Sequence, residues 1–326
     1  MTTRRDFLAV LATTGASAAL VPRRLLAETN FPDRPIHIIV PFAPGGGADL
    51  VSRLIAPHLQ ETLGQPGIVE NRSGAAGRLG TGVVAKTAPD GYTLLVTTES
   101  SLVIAPHIGI PIGYDPLKDF QPLSLLTRNT IMLVVNPAMP VHTLDDYIAL
   151  ARKKPGEVFF ASSGVGGPNH LAGEIFNRLV GVKITHVPYQ GTGLALQAVV
   201  SGQVGSMWGF MAGLIPYIRG GRLRAIAVGS KERSAVLPEV PTVAESGVPG
   251  YEAVSWVGMM APAETPRPVV DKLSTAIPKI MHLPAVAGVL TKSGSEIVAS
   301  TPAEFTAVIN KDYAKYGKLS DIFKRK

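Results

Sequence analysis

The stretch that most constrains this chain is Ile36-His37-Ile38-Ile39-Val40-Pro41-Phe42-Ala43-Pro44-Gly45-Gly46-Gly47-Ala48-Asp49-Leu50. Its first five residues are largely apolar and β-branched, as a strand covered on both faces should be. Three glycines then allow a sharp turn, and helical spacing begins near Ala48 or Asp49 and continues through Leu54, Ile55, Leu59 and Leu63. Pro57 falls inside that helix and predicts a kink or a break, and Gly64 predicts its end. Strand, tight turn and amphipathic helix together form the repeating unit of a layered α/β fold. The first N–H groups of such a helix lack intrahelical partners, and with the helix dipole they favour an anion. A tight turn with no ligand would use the same glycines, so this stretch alone leaves both readings open.

The rest of the chain repeats the unit. Strands are expected at 68–71 and 92–98. The intervening loop, 72–80, has no Gly-Lys-Ser/Thr ending and so is not a phosphate loop. Residues 100–126 hold Pro106, Pro111, Pro116 and Pro122 and read as a long irregular connection. A second series opens at 131–136, with strands at 158–161, 184–187, 205–210 and 223–228 and helices at 143–153, 169–180, 194–201 and 214–219. Residues 240–250 are again irregular, 256–261 form a last strand, and helices start near Pro268 and Pro302. The alternation predicts an α/β fold with mainly parallel sheets and right-handed crossovers. Two Pro-rich crossings divide it into two lobes, 28–128 plus 253–326 and 129–252. A cleft between them would face the carboxyl ends of the strands, where ligands bind.

The amino terminus reads as a leader. Arg4-Arg5-Asp6-Phe7-Leu8 is followed by an uncharged stretch to Leu20, which resembles a twin-arginine export signal and is too short to span a membrane. Cleavage after Ala27 would leave 27 basic against 23 acidic side chains, so the net charge falls from +7 to about +4. No basic block with interleaved aromatics remains, which argues against a nucleic-acid partner. With no cysteine, disulfides and thiolate chemistry are excluded.

A second copy of the opening motif lies at 159–174: a strand, then Ser162-Ser163-Gly164-Val165-Gly166-Gly167, then a helix from Pro168. Pro168 suits the first helical turn, because its missing N–H would have no partner there. Two helix starts, one per lobe, predict a grip on two ends of one small anion. The candidate residues are Phe42, Ala43, Pro44, Gly45 and Gly46 in the first turn, and Ser162, Ser163, Gly164, Gly167, Asn169 and His170 in the second. Thr98, Glu99 and Ser100, at the carboxyl end of the 92–98 strand, are assigned to the same cleft. A helix start contributes at most about 2 kcal/mol, against roughly 8 kcal/mol for micromolar binding, so lobe closure and direct hydrogen bonds must supply the rest. Enzyme patterns are scarce. The seven histidines are scattered, Ser162-Ser163-Gly164 lacks the leading glycine of a nucleophile elbow, and no nucleophile–base pair is evident. No metal or cofactor is expected.

At this point the chain resembles the periplasmic solute receptors of the tripartite tricarboxylate transporter family, the Bug receptors. The motifs that carry the resemblance are Val40-Pro41-Phe42-Ala43-Pro44-Gly45-Gly46-Gly47, Glu70-Asn71-Arg72, Ala88-Pro89-Asp90-Gly91-Tyr92-Thr93-Leu94-Leu95 and Tyr114-Asp115-Pro116-Leu117-Lys118-Asp119-Phe120. They continue with Ala161-Ser162-Ser163-Gly164, His170-Leu171-Ala172-Gly173-Glu174, His186-Val187-Pro188-Tyr189 and 237–245. The resemblance implies a type II periplasmic binding fold that closes on a carboxylate. It also implies membrane permease subunits as partners and ligand contacts at both turns and at Tyr189, with the chain acting as a monomer. Three positions depart from the family pattern: Gln190 where Lys is common, Trp208-Gly209-Phe210 where a carboxylate is customary, and Asn169 before His170. The missing carboxylate argues against an amino-acid ligand. A dicarboxylate would satisfy both turns, whereas Trp208 and Phe210 would favour an aromatic carboxylate if they face the cleft. A sensory adaptor that reports the same ligand, or an exported hydrolase acting on it, are the alternatives.

Overall fold

The computed structural model describes residues 31–109, 111–189 and 191–320. The expected leader, 1–27, and Gln190 lie outside these residues. Strand β1 (Ile36–Val40) leads into α1 (Gly47–Leu63), and β2 (Gly67–Asn71) and β3 (Thr93–Thr98) lie parallel to β1 on either side. In β1, Ile36, Ile38 and Val40 face α1 and the later helices α7 (Arg267–Met281) and α8 (Pro284–Lys292), whereas Ile39 faces the opposite way. Both faces are therefore largely apolar and buried, broken at His37, which is partly exposed and meets Glu70 Oε1 at 2.6 Å. Helix α1 passes through Pro57 as one element. Pro57 and Arg53, whose carbonyl loses its partner, both lie on the exposed face, where water can satisfy that carbonyl.

The second half repeats the arrangement. β5 (Phe159–Ser162) lies between β6 (Thr185–Pro188) and β7 (Ser206–Phe210), and all three are parallel. Helices α3 (Leu144–Lys153) and α4 (Pro168–Val180) cover one face of this half, and α5 (Thr192–Val200) and α6 (Met211–Arg219) the other.

The connection between the halves differs from the sequence expectation. The stretch from Phe120 to Val135 is one 16-residue strand, β4. Its first part pairs antiparallel with β9 (Val254–Pro262) and β10 (Ser295–Ile297), and its last residues pair antiparallel with β7 and β8 (Arg224–Val228). The crossings are therefore ordered antiparallel strands joining two parallel sets. The prolines obscured this. Pro122 is accommodated by a register shift between Pro122 and Ser124, where the ladder does not need its missing N–H. The last helix, α9 (Pro302–Lys318), directs the tip of the Phe305 ring at β9: a Cβ at Gly258 would lie 2.0 Å from Phe305 Cζ.

Candidate functional site

The first turn is built by hydrogen bonds among its own residues. Gly45 has φ +88°, and α1 begins after Gly46 with no side chain capping it. Asp49, in the first helical turn, accepts from the Gly45 N–H at 2.9 Å, from Arg53 Nε at 3.0 Å and from Asn71 Nδ2 at 2.9 Å. Asn71 Nδ2 also reaches the Phe42 carbonyl at 3.1 Å. Burial pushes the Asp49 carboxyl up, but the hydrogen bonds from Arg53, Gly45 and Asn71 outweigh it and hold the group below its ordinary value. Asp49 thus fixes the turn, while Ala43 to Gly47 remain exposed.

A neighbouring turn that the motif reading passed over supports Phe42. Gly74, Ala75, Ala76 and Gly77 have φ of +145°, +50°, +54° and +91° in succession. The two alanines occupy a region that costs a residue with a Cβ about 1–2 kcal/mol. A Cβ at Gly77 would lie 2.8 Å from the Phe42 ring and 3.4 Å from Ser101 Cβ, so this turn seats Phe42 against the end of β3. The legible signal was the pair of glycines bracketing two alanines just before a helix.

The second turn has the same plan. Gly164 and Gly166 have φ of +133° and +79°, and α4 starts at Pro168 with no side-chain cap. Ser162 Oγ lies 2.6 Å from His186 Nε2 and 3.2 Å from the Gly164 N–H. The Gly166 N–H donates to His170 Nδ1 at 3.2 Å. The rings of His170 and His186 are 4.1 Å apart at their centroids, and Phe160 stacks on His186 at 5.0 Å. Burial pushes His170 down to about 4, and burial together with His170 pushes His186 down to about 3, so both are neutral at pH 7. A Ser–His pair is therefore present, which the sequence reading did not find. Ser162 has no exposed surface and its hydroxyl is tied to the turn's backbone, so the pair shapes the loop and is not presented to a substrate.

Asn169 is fully buried. Its Nδ2 donates to the Trp208 carbonyl at 2.9 Å, and its Oδ1 has no partner among the described residues. The Tyr189 N–H donates to the Ser162 carbonyl at 3.0 Å, which brings Tyr189 to the same strand end. Ser163 and Gly164 are partly buried and Gly167 is buried. The two halves meet here. Leu171 belongs to the core formed by Val103, Ile104, Trp256 and Phe305, and a Cβ at Gly166 would contact Ile108 at 3.7 Å.

Other candidates fall differently. The Trp208 side chain is 1% exposed and packs on Phe176 and Tyr251. It is a core ring and not a cleft wall, because β7 turns its inward face to α4. Phe210 is partly buried against the same core at the start of α6. Thr98 Oγ1 accepts from the Ser100 N–H at 3.3 Å, opening the π-helical turn Ser100–Ile104. Glu99 is 1% exposed; its Oε2 accepts from Ser255 Oγ at 2.8 Å and from the Trp256 N–H at 3.1 Å, while Oε1 has no partner among the described residues. Burial pushes its carboxyl up to about 7. Glu99 therefore joins β3 to β9 instead of facing open space. A separate groove of about 920 Å³, lined by Thr143, Arg224, Glu239 and Glu245 among others, includes no residue of either turn.

The family model of the tripartite tricarboxylate transporter family receptor matches residues 51–324, and the chain belongs to that family. BugT of Bordetella pertussis is 38% identical over 293 residues, covering 90% of this chain and 88% of that protein. Among solved structures, the periplasmic binding protein BugD is 31% identical with a TM-score of 0.82, covering 90% of this chain and 99% of that one. An R. palustris protein solved with adipate is 33% identical with a TM-score of 0.84, over 90% and 98% of the two chains. MatC from Rhodopseudomonas palustris, with bound malate, is 34% identical with a TM-score of 0.82, over 89% and 100%. The mixed α/β fold is of the type II periplasmic binding kind, and the family is one of solute receptors.

Proposed function

We propose that this chain is a periplasmic receptor that closes on a small dicarboxylate and delivers it to the membrane subunits of a tripartite transporter. The observation that carries the reading is the pair of uncapped helix starts, each braced by its own polar clamp, in halves of the molecule that touch beside them. One lobe would comprise 28–128 plus 253–326 and the other 129–252. Exposed backbone N–H groups at Gly46 and Gly47 would take one carboxylate. The turn from Ser163 to Asn169 would take the other. Two such helix starts contribute at most about 4 kcal/mol, so hydrogen bonds from the turns and exclusion of water must roughly double that for micromolar affinity. Burial of Trp208 removes the main support for an aromatic ligand. Adipate and malate, named with two similar structures, each carry two carboxylates. Residues 1–27 would direct export by the twin-arginine route, and the mature chain would act as a monomer.

The test is a thermal-shift screen of the mature chain against mono-, di- and tricarboxylates and aromatic carboxylates, followed by calorimetry. At least one dicarboxylate is expected to raise the melting temperature and bind at micromolar Kd. No response across the panel would sink the proposal, and conversion of the bound compound to product would revive the hydrolase.

A further inference from the structure

Arg78 opens the short helix α2 (Arg78–Val84), directly after the Gly74–Gly77 turn, and the receptor reading assigns it no role. Its side chain is partly buried; Nη1 is buried and makes no hydrogen bond, and no carboxylate pairs with it among the described residues. Arg152, Arg219 and Arg222 also lack a carboxylate partner among the described residues, but all three are exposed, whereas Arg78 is partly buried. Arg34, Arg53, Arg72, Arg128, Arg233 and Arg267 all pair with carboxylates, and Arg224 donates to the carbonyls of Met139 and Val141. Burying part of a cation without a counter-ion is unfavourable, and a fold tolerates it where an anion arrives later.

The position of Arg78 fits such an arrival. Gly77, immediately before it, is wedged between Phe42 of the first turn and Ser101 of the π-helical turn that follows β3. Gly82, one turn further along α2, packs on Tyr114: a Cβ there would lie 3.5 Å from Tyr114 Cδ1. The Tyr114 hydroxyl in turn donates to the Ser101 carbonyl. The segment that continues from Ser101 carries Ile108, which meets Gly166 of the second turn. Arg78 thus stands next to the first turn, on the element that seats Phe42. A planar guanidinium can hold a carboxylate by two parallel hydrogen bonds.

We propose that Arg78 is the counter-ion for one carboxylate of the bound ligand and sets a preference for dicarboxylates over monocarboxylates of equal length. This rests on the carboxylate-receptor reading above. A monocarboxylate held at the second turn leaves the guanidinium unpaired; a dicarboxylate neutralises it.

The test is titration calorimetry of the mature chain, R78Q and R78K with two matched series: succinate, glutarate and adipate against butyrate, pentanoate and hexanoate. The wild type is expected to favour the best dicarboxylate over its partner. In R78Q that ratio of affinities should fall roughly 10- to 100-fold, with R78K intermediate because the charge remains and the fork is lost. Circular dichroism identifies folded variants; if R78Q does not fold, a several-fold fall in R78K carries the test. A ratio unchanged within twofold in the folded variants overturns the role of Arg78 and leaves the receptor reading standing. A wild type that binds neither series overturns both.

Discussion

The buried titratable groups of the second turn and of the β3–β9 contact act in opposite directions as pH falls, and their balance can be measured. His170 and His186 have ordinary values of 6.5 and lie at about 4 and about 3 in the fold. A proton therefore binds the unfolded chain more readily, and stability declines once pH drops below 6.5. Glu99 behaves inversely. Its ordinary value is 4.5 and its folded value about 7, so burial penalises the fold above pH 4.5 most strongly near and above pH 7. That penalty is relieved on acidification. Between pH 7.5 and 5 each histidine removes about 2 kcal/mol and Glu99 returns about 2 kcal/mol, from 1.36 kcal/mol per pH unit over the range in which each group titrates differently in the two states. The wild type should lose about 2 kcal/mol from these three groups, and Glu99→Gln, which can still accept from Ser255 and Trp256, about 4 kcal/mol. A His170→Gln/His186→Gln variant should instead gain about 2 kcal/mol. Asp49 and Glu70 are held below their ordinary values, so their contributions fade only at lower pH and leave this window clear. Urea unfolding followed by circular dichroism at half-unit pH steps gives the three profiles. Parallel profiles for wild type and Glu99→Gln would refute the assignment of Glu99 as a carboxyl pushed up to about 7 by burial.

Three further outcomes follow from named contacts. Gly258→Ala drives a methyl into Phe305 and should cost about 1–3 kcal/mol, seen as a melting temperature lower by several degrees; adding Phe305→Leu should recover part of it. Asn71→Ala releases the Phe42 carbonyl and one support of Asp49, and calorimetry should show weaker dicarboxylate binding together with a loss of about 1 kcal/mol in urea unfolding. Ser163→Ala combined with Asn169→Ala should weaken dicarboxylate binding at least tenfold while the chain still unfolds cooperatively; unchanged affinity would remove the second turn from the site.

Much of the architecture was legible because β1 and the 159–174 segment carry local signals: an apolar run, positive-φ glycines and a helix start. Four features were not readable. β4 hides behind Pro122, because whether a bulge absorbs a proline depends on the partner strand. Trp208 could face either way until α4 was seen packed on it. The Ser162–His186 contact joins two strands whose register no single strand encodes. Glu99 was placed in the cleft by its position at a strand end; its side chain is instead directed toward β9, a neighbour more than 150 residues away in sequence.

The strand from Phe120 to Val135 bears on how this molecule could be taken apart or rebuilt. Both sheets draw on the same sixteen residues, so neither half owns a complete set of strands. A cut anywhere within β4 would leave two fragments with raw sheet edges, open to pairing with other chains. Splitting the receptor into separately expressed halves for a biosensor should therefore yield aggregates. An inserted reporter belongs in an exposed loop away from both ligand turns, and the shared strand should be left whole.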